Sequence, residues 1–140
     1  MFKLSKNSIK NMSGCDPKLK QIAQLAIDIT VIDFGIPTDG GARTTERQNK
    51  LFKIGRSKCD GTIKKSKHQI RRDETFCQAI DFFAIDPDTG KASWKPDLLS
   101  MVACSFLQAA CELGYNIQWG GLWKSFKDMP HIQLVNEFDC

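Results

Sequence analysis

Apolar residues recur along this 140-residue chain at two periods, and the switches between them mark its elements. From Asp16-Pro17 onward, Leu19, Ile22, Ala23, Ala26 and Ile29 repeat every third or fourth position, with Leu25 and Ile32 beside them. That is the stripe of an amphipathic helix. Asp16 is a suitable cap and Pro17 fits the first helical position. The spacing predicts that this helix runs through Phe34 and stops at Gly35. Residues 36–42, with Pro37 and Gly40-Gly41, read as a turn leading into an extended segment. Thr44 caps a second helix over 45–54, with Leu51 and Ile54 on one face and Gly55 at its end. Residues 56–75 are polar, basic and aperiodic, which predicts a long loop. Inside a compact domain, a loop of that length is usually functional or mobile.

The second half alternates short apolar runs with one long helix. Residues 76–85 read as a mostly buried strand, and Asp86-Pro87-Asp88-Thr89-Gly90 as a turn. Pro96 and Asp97 start a third helix running to Leu113, with Leu98, Met101, Val102, Ser105, Phe106 and Ala109 expected inward and Gly114 ending it. Residues 115–119 and 131–135 are further strands, separated by Gly120-Gly121 and a loop. This irregular order predicts an α+β class, helices packed on a small antiparallel sheet.

Length and composition narrow the picture. One domain, residues 1–140, is expected, because two cores cut from a chain this short would each be too small. Hydrophobic residues at 41% and charged residues at 26% exclude collagen-like and largely disordered chains. No apolar run approaches the ~18 residues of a membrane span. The first fifteen residues scatter lysines among single apolar positions, so no secretory signal is expected and synthesis in the cytoplasm is. The six cysteines include no C-x-x-C, which removes a cysteine zinc knuckle and makes reduced thiols the expectation. Cys104 and Cys111, in the apolar third helix, are expected to pack as small hydrophobes.

Charge is uneven. Residues 41–72 hold eleven Lys and Arg against Glu46 and Asp60, a local +9, on a chain whose net charge is +4. Such a segment suits an anionic partner, whether nucleic acid, an acidic polymer or an anionic membrane surface, although on charge alone a solvated, lysine-rich loop is the preferred reading. Nucleic acid is disfavoured, since Phe52 and Phe76 are the nearest aromatics.

Candidate chemistry centres on the two histidines, His68 and His131. His68 precedes a buried strand that carries Asp81 among Ala79, Ile80, Phe82 and Phe83. A carboxylate in such company is costly unless paired or metal-bound. His131 follows Asp128-Met129-Pro130, which sets a second carboxylate three residues before an imidazole. Two His and one Asp suffice for a catalytic zinc with an open fourth position. The helical H-E-x-x-H signature is absent. The residues alone therefore reach a possible zinc hydrolase.

Motif order adds a resemblance. Gly41-Ala42-Arg43-Thr44-Thr45-Glu46-Arg47-Gln48 resembles the G-x-R-t-x-x-x-Q segment of the zinc D,D-carboxypeptidase and L-alanyl-D-glutamate peptidase family, of Hedgehog/DD-peptidase-like fold. Ser66-Lys67-His68 followed by Ala79-Ile80-Asp81 is similar to its S-x-H-x-x-G-x-A-x-D. Asp128-Met129-Pro130-His131 is similar to its closing [DE]-x-x-H, and Trp119-Gly120-Gly121-Leu122-Trp123 resembles the preceding W-G-G-x-W. The opening, from Phe2-Lys3-Leu4-Ser5 to Asp16-Pro17, is similar to the start of small phage endolysins of this group. The resemblance covers nearly the whole chain, with one departure. Twelve residues stand between His68 and Asp81, more than in the motif; residues 69–75 look inserted, and Cys77 replaces the usual Gly. Asp73 and Glu74 are therefore alternative metal carboxylates, with Asp81 favoured for its A-x-D strand.

The resemblance implies a Zn2+ ion held by His68, Asp81 and His131, with Asp128 as general acid–base. It implies that Arg43 binds a substrate carboxylate or the developing oxyanion, with Gln48 and Ser66 as weaker substrate-positioning groups. Trp119 and Trp123 stay open between core, wall and substrate contact. The implied function is a peptidoglycan-degrading zinc endopeptidase of the phage-endolysin kind, cutting the L-alanyl-D-glutamate bond. It would be a monomer, made in the host cytoplasm and acting on the cell wall after release. Its basic segment would meet an anionic polymer or the outer-membrane surface, and nucleic acid would not be a partner. The alternatives are a D-alanyl-D-alanine carboxypeptidase and a non-catalytic zinc-binding module on the same fold.

Overall fold

The structure, a computed structural model, describes residues 1–135. Ser5 accepts a hydrogen bond from the Ser8 amide and opens a short helix, α1 (Lys6–Asn11). Asp16 caps α2 (Pro17–Ile29) through the Lys18 amide at 2.9 Å. Then follow β1 (Phe34–Gly35), α3 (Thr45–Lys53), β2 (Ala79–Asp81), β3 (Phe83–Ile85), β4 (Ala92–Ser93), α4 (Pro96–Leu113), β5 (Ile117–Trp119) and β6 (His131–Leu134). A 3-10 turn over Gly120–Leu122 follows β5. No helix among the described residues is long and apolar enough to cross a membrane.

The α+β class and the antiparallel pairing agree with the sequence reading, but the strands form two three-stranded sheets, ordered β1-β3-β4 and β2-β6-β5. The run 76–85 is divided between them. At Phe82 the backbone leaves β2, its amide donating to the Pro130 carbonyl at 2.9 Å, and re-forms as β3 in the other sheet. Hydrophobicity cannot show this break, because Phe82 is itself fully buried.

Helix α2 is shorter than its periodicity suggests. It ends at Ile29, and the β-branched run Thr30-Val31-Ile32 leads into β1. Ile32 and Phe34 are buried as expected, but from a bend and from β1 respectively. Helix α1 escaped the pattern because polar side chains anchor it. Ser8 Oγ accepts from the Ile36 amide at 3.0 Å, and Asn11 Nδ2 donates to the Ile36 carbonyl at 2.8 Å.

One buried cluster joins these layers, with α2 packed on α4 beneath both sheets. On α4 the buried stripe is Leu99, Val102, Ala103, Ser105, Phe106, Ala109 and Ala110. It is turned slightly from the expected face, so Met101 is exposed and Leu98 half-buried. The same rotation corrects the expectation for Cys104 and Cys111, which both face outward. All five described cysteines are free thiols, and Cys140 lies outside the described residues.

Phe106 ties the architecture together. Its ring lies 5.0 Å from Phe34 and 5.2 Å from Phe82, one residue from each sheet region. Truncating a fully buried Phe costs ~3–5 kcal/mol, against a typical total of ~5–15 kcal/mol. Phe106→Ala is thus expected to lower the urea midpoint steeply. A change below ~1 kcal/mol would mean that the sheets do not depend on this contact.

Candidate metal centre and cleft

In β2 and β6, Asp81 and His131 are direct cross-strand partners, so their side chains project from the same face of the sheet. His68 arrives from the loop before β2, fixed by its own backbone. Its amide donates to Ser66 Oγ at 3.1 Å, and its carbonyl accepts from the Arg43 amide at 2.8 Å. His68 Nε2 then lies 3.1 Å from Asp81 Oδ1, and His131 Nδ1 lies 3.2 Å from the same oxygen. The two ring nitrogens are 3.2 Å apart.

The apparent insertion leaves this geometry intact because its ends are tied. The Gln78 amide donates to the Lys67 carbonyl at 2.8 Å, and the Gln78 carbonyl accepts from the Leu134 amide at 2.9 Å. Residues 68–77 therefore leave and rejoin the sheet at one point. Glu74 is engaged by Arg71 Nε at 2.6 Å, and Asp73 is exposed. The structure brings Asp81 to the histidines, and neither Asp73 nor Glu74.

Hydrogen bonds on the far sides of both rings select their tautomers. His68 Nδ1 faces the Gly41 carbonyl at 3.0 Å, which can only accept, so Nδ1 carries the proton and Nε2 turns a lone pair inward. His131 Nε2 faces Gln133 Oε1 at 3.0 Å, which likewise leaves Nδ1 as the inward lone pair. Two imidazole lone pairs and a carboxylate oxygen thus converge, with ligand atoms within 4.8 Å of one another. This donor set suits a divalent cation such as zinc, and the outer bonds are those that orient metal-binding histidines. Gly41 is needed here for space, since a Cβ on it would sit 2.0 Å from the Asn11 carbonyl oxygen.

Electrostatics agree with a cation site. Burial opposes charge on Asp81, yet the two imidazoles hold its carboxyl well below the usual carboxylate range. Burial dominates at His68 and pushes its imidazole down. At His131 burial pulls the same way, but in the protonated ring the hydrogen bond from Nδ1 to Asp81 and the charges of Asp81 and Asp128 outweigh it and leave the imidazole raised. Asp128 is pushed up, first by burial and then by the charge of Asp81.

Asp128 sits beside the triad, its Oδ2 3.7 Å from His131 Nδ1. Its main chain is fixed at both ends, the amide donating to the Gly120 carbonyl and the carbonyl accepting from the His131 amide. A Cβ on Gly120 would sit 2.2 Å from the Asp128 carbonyl oxygen, so the W-G-G segment gives this loop its close approach. Trp119 donates to the Met129 carbonyl at 2.6 Å and supports the same loop. Trp123 stands at the cleft, its ring 5.2 Å from that of His131.

Arg43 stands in the cleft lining, as the sequence suggests, whereas Gln48 lies behind it. Arg43 donates to the Asp39 carbonyl (2.8 Å), Gln48 Oε1 (3.2 Å) and Asp81 Oδ2 (2.8 Å), so three of its five N–H groups are used within the protein while the residue still lines the cleft. Gln48 is fully buried and away from the cleft lining. Besides accepting from Arg43, it donates through Nε2 to Ser57 Oγ and the Cys59 carbonyl. Its polar atoms hold protein groups where a substrate contact was expected. Ser66 lines the cleft and orders His68 through its hydroxyl. Gln133 and Asp39 were missed. Gln133 was legible in hindsight, two residues after His131 on a strand and therefore on the same face. Asp39, which receives Arg47 at 2.6 Å, had no motif to mark it.

The triad and Asp128 open into a cleft of about 1040 Å³, walled by the 56–67 loop on one side and by Trp94, Trp123 and Phe126 among others. Side chains able to hold a metal ion, with a further carboxylate beside them in a cleft, are an arrangement that metal-assisted hydrolysis can use. The chain belongs to the phage L-alanyl-D-glutamate peptidase family, whose model matches residues 1–139. It is 31% identical to the peptidoglycan L-alanyl-D-glutamate endopeptidase CwlK of Bacillus subtilis, over 94% of this chain and 81% of that protein. It is 32% identical to the L-alanyl-D-glutamate peptidase of Escherichia phage T5, over 91% of this chain and 85% of that one. Its structure resembles the crystal structure of the L-Ala D-Glu endopeptidase ChiX of Serratia marcescens. The TM-score is 0.74 at 29% identity, covering 93% of this chain and 87% of the other.

Proposed function

We propose that this chain is a zinc endopeptidase that degrades peptidoglycan by hydrolysing the L-alanyl-D-glutamate bond of the stem peptide. The observation that carries the reading is the convergence of His68 Nε2, Asp81 Oδ1 and His131 Nδ1 beside the carboxylate of Asp128, in a chain of this family. Zinc held by His68, Asp81 and His131 would supply Lewis-acid polarisation of the scissile carbonyl and acidify water. Asp128 takes the proton from the attacking water and returns it to the departing amine of glutamate. Arg43 fixes Asp81 and adds positive charge beside the developing oxyanion. Gln48 steadies Arg43, and Ser66 steadies His68.

Mass analysis of muropeptides after digestion tests the reading, because the termini released name the bond. New L-alanine C-termini and glutamate N-termini are expected. Release of D-alanine alone would instead make the chain a D-alanyl-D-alanine carboxypeptidase. Zinc binding without any new terminus would leave a non-catalytic module.

The chain acts, in this reading, on the wall after synthesis in the host cytoplasm. Its basic segment draws it to anionic wall polymer or the outer-membrane surface. Such attraction shrinks with the Debye length, from ~10 Å at 0.1 M salt to ~3 Å at 1 M. Lysis of permeabilised cells is therefore expected to fall steeply with salt, while cleavage of a short soluble stem peptide falls much less. Equal loss in both assays would remove the segment's part in wall binding.

A further inference from the structure

The wall of the cleft formed by the loop after α3 carries Arg56, Lys58, Lys64 and Lys65. This loop is long but internally fastened. Asp60 Oδ1 accepts from the amides of Thr62, Ile63 and Lys64 at 2.8–2.9 Å. The Gly61 amide donates to the Lys64 carbonyl at 3.1 Å, and Gln69 Nε2 donates to the Gly61 carbonyl at 3.0 Å. From the other side Gln48 holds Ser57 and Cys59 at 2.7 and 2.9 Å. The backbone that presents Lys64 and Lys65 is thus pre-positioned against the cleft, which lowers the ordering cost of any contact they make.

The acids of the cleft do not neutralise these two lysines. Asp81 is taken by Arg43 and the histidines, and Asp39 by Arg47. Asp128 faces His131. Among the described residues no carboxylate lies within 4.0 Å of Lys64 or Lys65, and both are exposed. Lys58 is occupied differently, its ammonium 5.3 Å from the Phe126 ring across the cleft. Arg43, the cation that the sequence marks for a substrate carboxylate, already gives one N–H from each of its three nitrogens to Asp39, Gln48 and Asp81, and its charge is paired with the Asp81 carboxylate at 2.8 Å.

The substrate supplies the missing anion. Glutamate has two carboxyl groups, and at most one of them continues the peptide. When its amine is the leaving group, a second carboxylate can therefore remain free just beyond the bond that breaks. We propose that Lys64 and Lys65 form the subsite for this free glutamate carboxylate and determine specificity for it. This rests on the L-alanyl-D-glutamate reading above. A lysine ammonium meets a carboxylate as a charge-assisted hydrogen bond, and a neutral carboxamide at the same position cannot replace that charge.

Two synthetic stem peptides test this, identical except that the free glutamate carboxylate is a carboxamide in one. The wild-type zinc enzyme is expected to favour the carboxylate by about 10- to 100-fold in kcat/KM, the range for losing a hydrogen bond to a charged group. In Lys64→Gln/Lys65→Gln that ratio should fall towards one, mainly through KM. Equal turnover of both peptides by wild type, or an unchanged ratio in the variant, overturns the proposal. Calorimetry with the leaving-group peptide alone, bearing the N-terminal glutamate, reads the subsite without turnover. If neither stem peptide is cut but wild type still binds the carboxylate peptide more tightly and the variant does not, the reaction is wrong and the subsite stands. If that binding shows no carboxylate preference, the subsite falls with or without activity.

Discussion

Alanine at His68, Asp81 or His131 is expected to remove peptidase activity to background and to take bound zinc from about one ion per chain to a small fraction of that. Each residue contributes one of three converging ligand atoms, and a two-ligand remnant does not retain a catalytic zinc. The Asp81 variant should be the most damaging. Its carboxylate is also the acceptor for Arg43 Nη2 at 2.8 Å, so truncation strands a guanidinium whose side chain is only 10% exposed. Leaving a partly buried charge unpaired is a recognised source of large destabilisation. Asp81→Asn separates the two effects, since it keeps an acceptor for Arg43 while weakening the anionic ligand. Metal content by elemental analysis, read beside the thermal midpoint, is the deciding measurement. If Asp81→Ala retained full zinc while Asp73→Ala lost it, the ligand would lie in the 69–75 stretch.

How much of this was legible in the sequence follows from what each kind of signal measures. The extent of helix α4 was readable because Pro96 and Gly114 punctuate it, but its buried face is turned slightly from the one its apolar spacing suggested. The division of 76–85 into β2 and β3 was not, because both halves are buried and burial alone carries no record of which sheet a strand joins. The triad could be proposed from Asp81 in apolar company and from motif order. Its integrity across the longer spacing could not, since that depends on the Gln78–Lys67 backbone hydrogen bond. Roles were less legible than positions. Arg43 and Gln48 were found as residues, but a sequence motif cannot distinguish a side chain facing substrate from one facing its neighbours. Gln48, with both amide donors and its acceptor oxygen engaged by Ser57, Cys59 and Arg43, shows how a buried structural polar residue can look like binding chemistry.

Asp128→Asn is expected to lower kcat by about 10² to 10⁴, the usual contribution of acid–base catalysis, while zinc content and thermal midpoint stay near wild type. The side chain is one-third exposed and lies 3.7 Å from His131 Nδ1. Its main chain, by contrast, carries the hydrogen bonds that fix the loop, to the Gly120 carbonyl and from the His131 amide. Exchanging the carboxylate for an amide therefore removes the proton acceptor and leaves those bonds in place. An amide of the same shape also rules out a lost cavity wall as the cause of any rate loss. Burial and the nearby charge of Asp81 both push the Asp128 carboxyl up. Retained zinc with a rate loss in that range assigns the proton shuttle to Asp128. A variant that loses its metal instead would make Asp128 a ligand and leave the shuttle unassigned. A variant that keeps both zinc and full rate would move the shuttle to another group, and among the described residues no other free carboxylate lies this close to the triad.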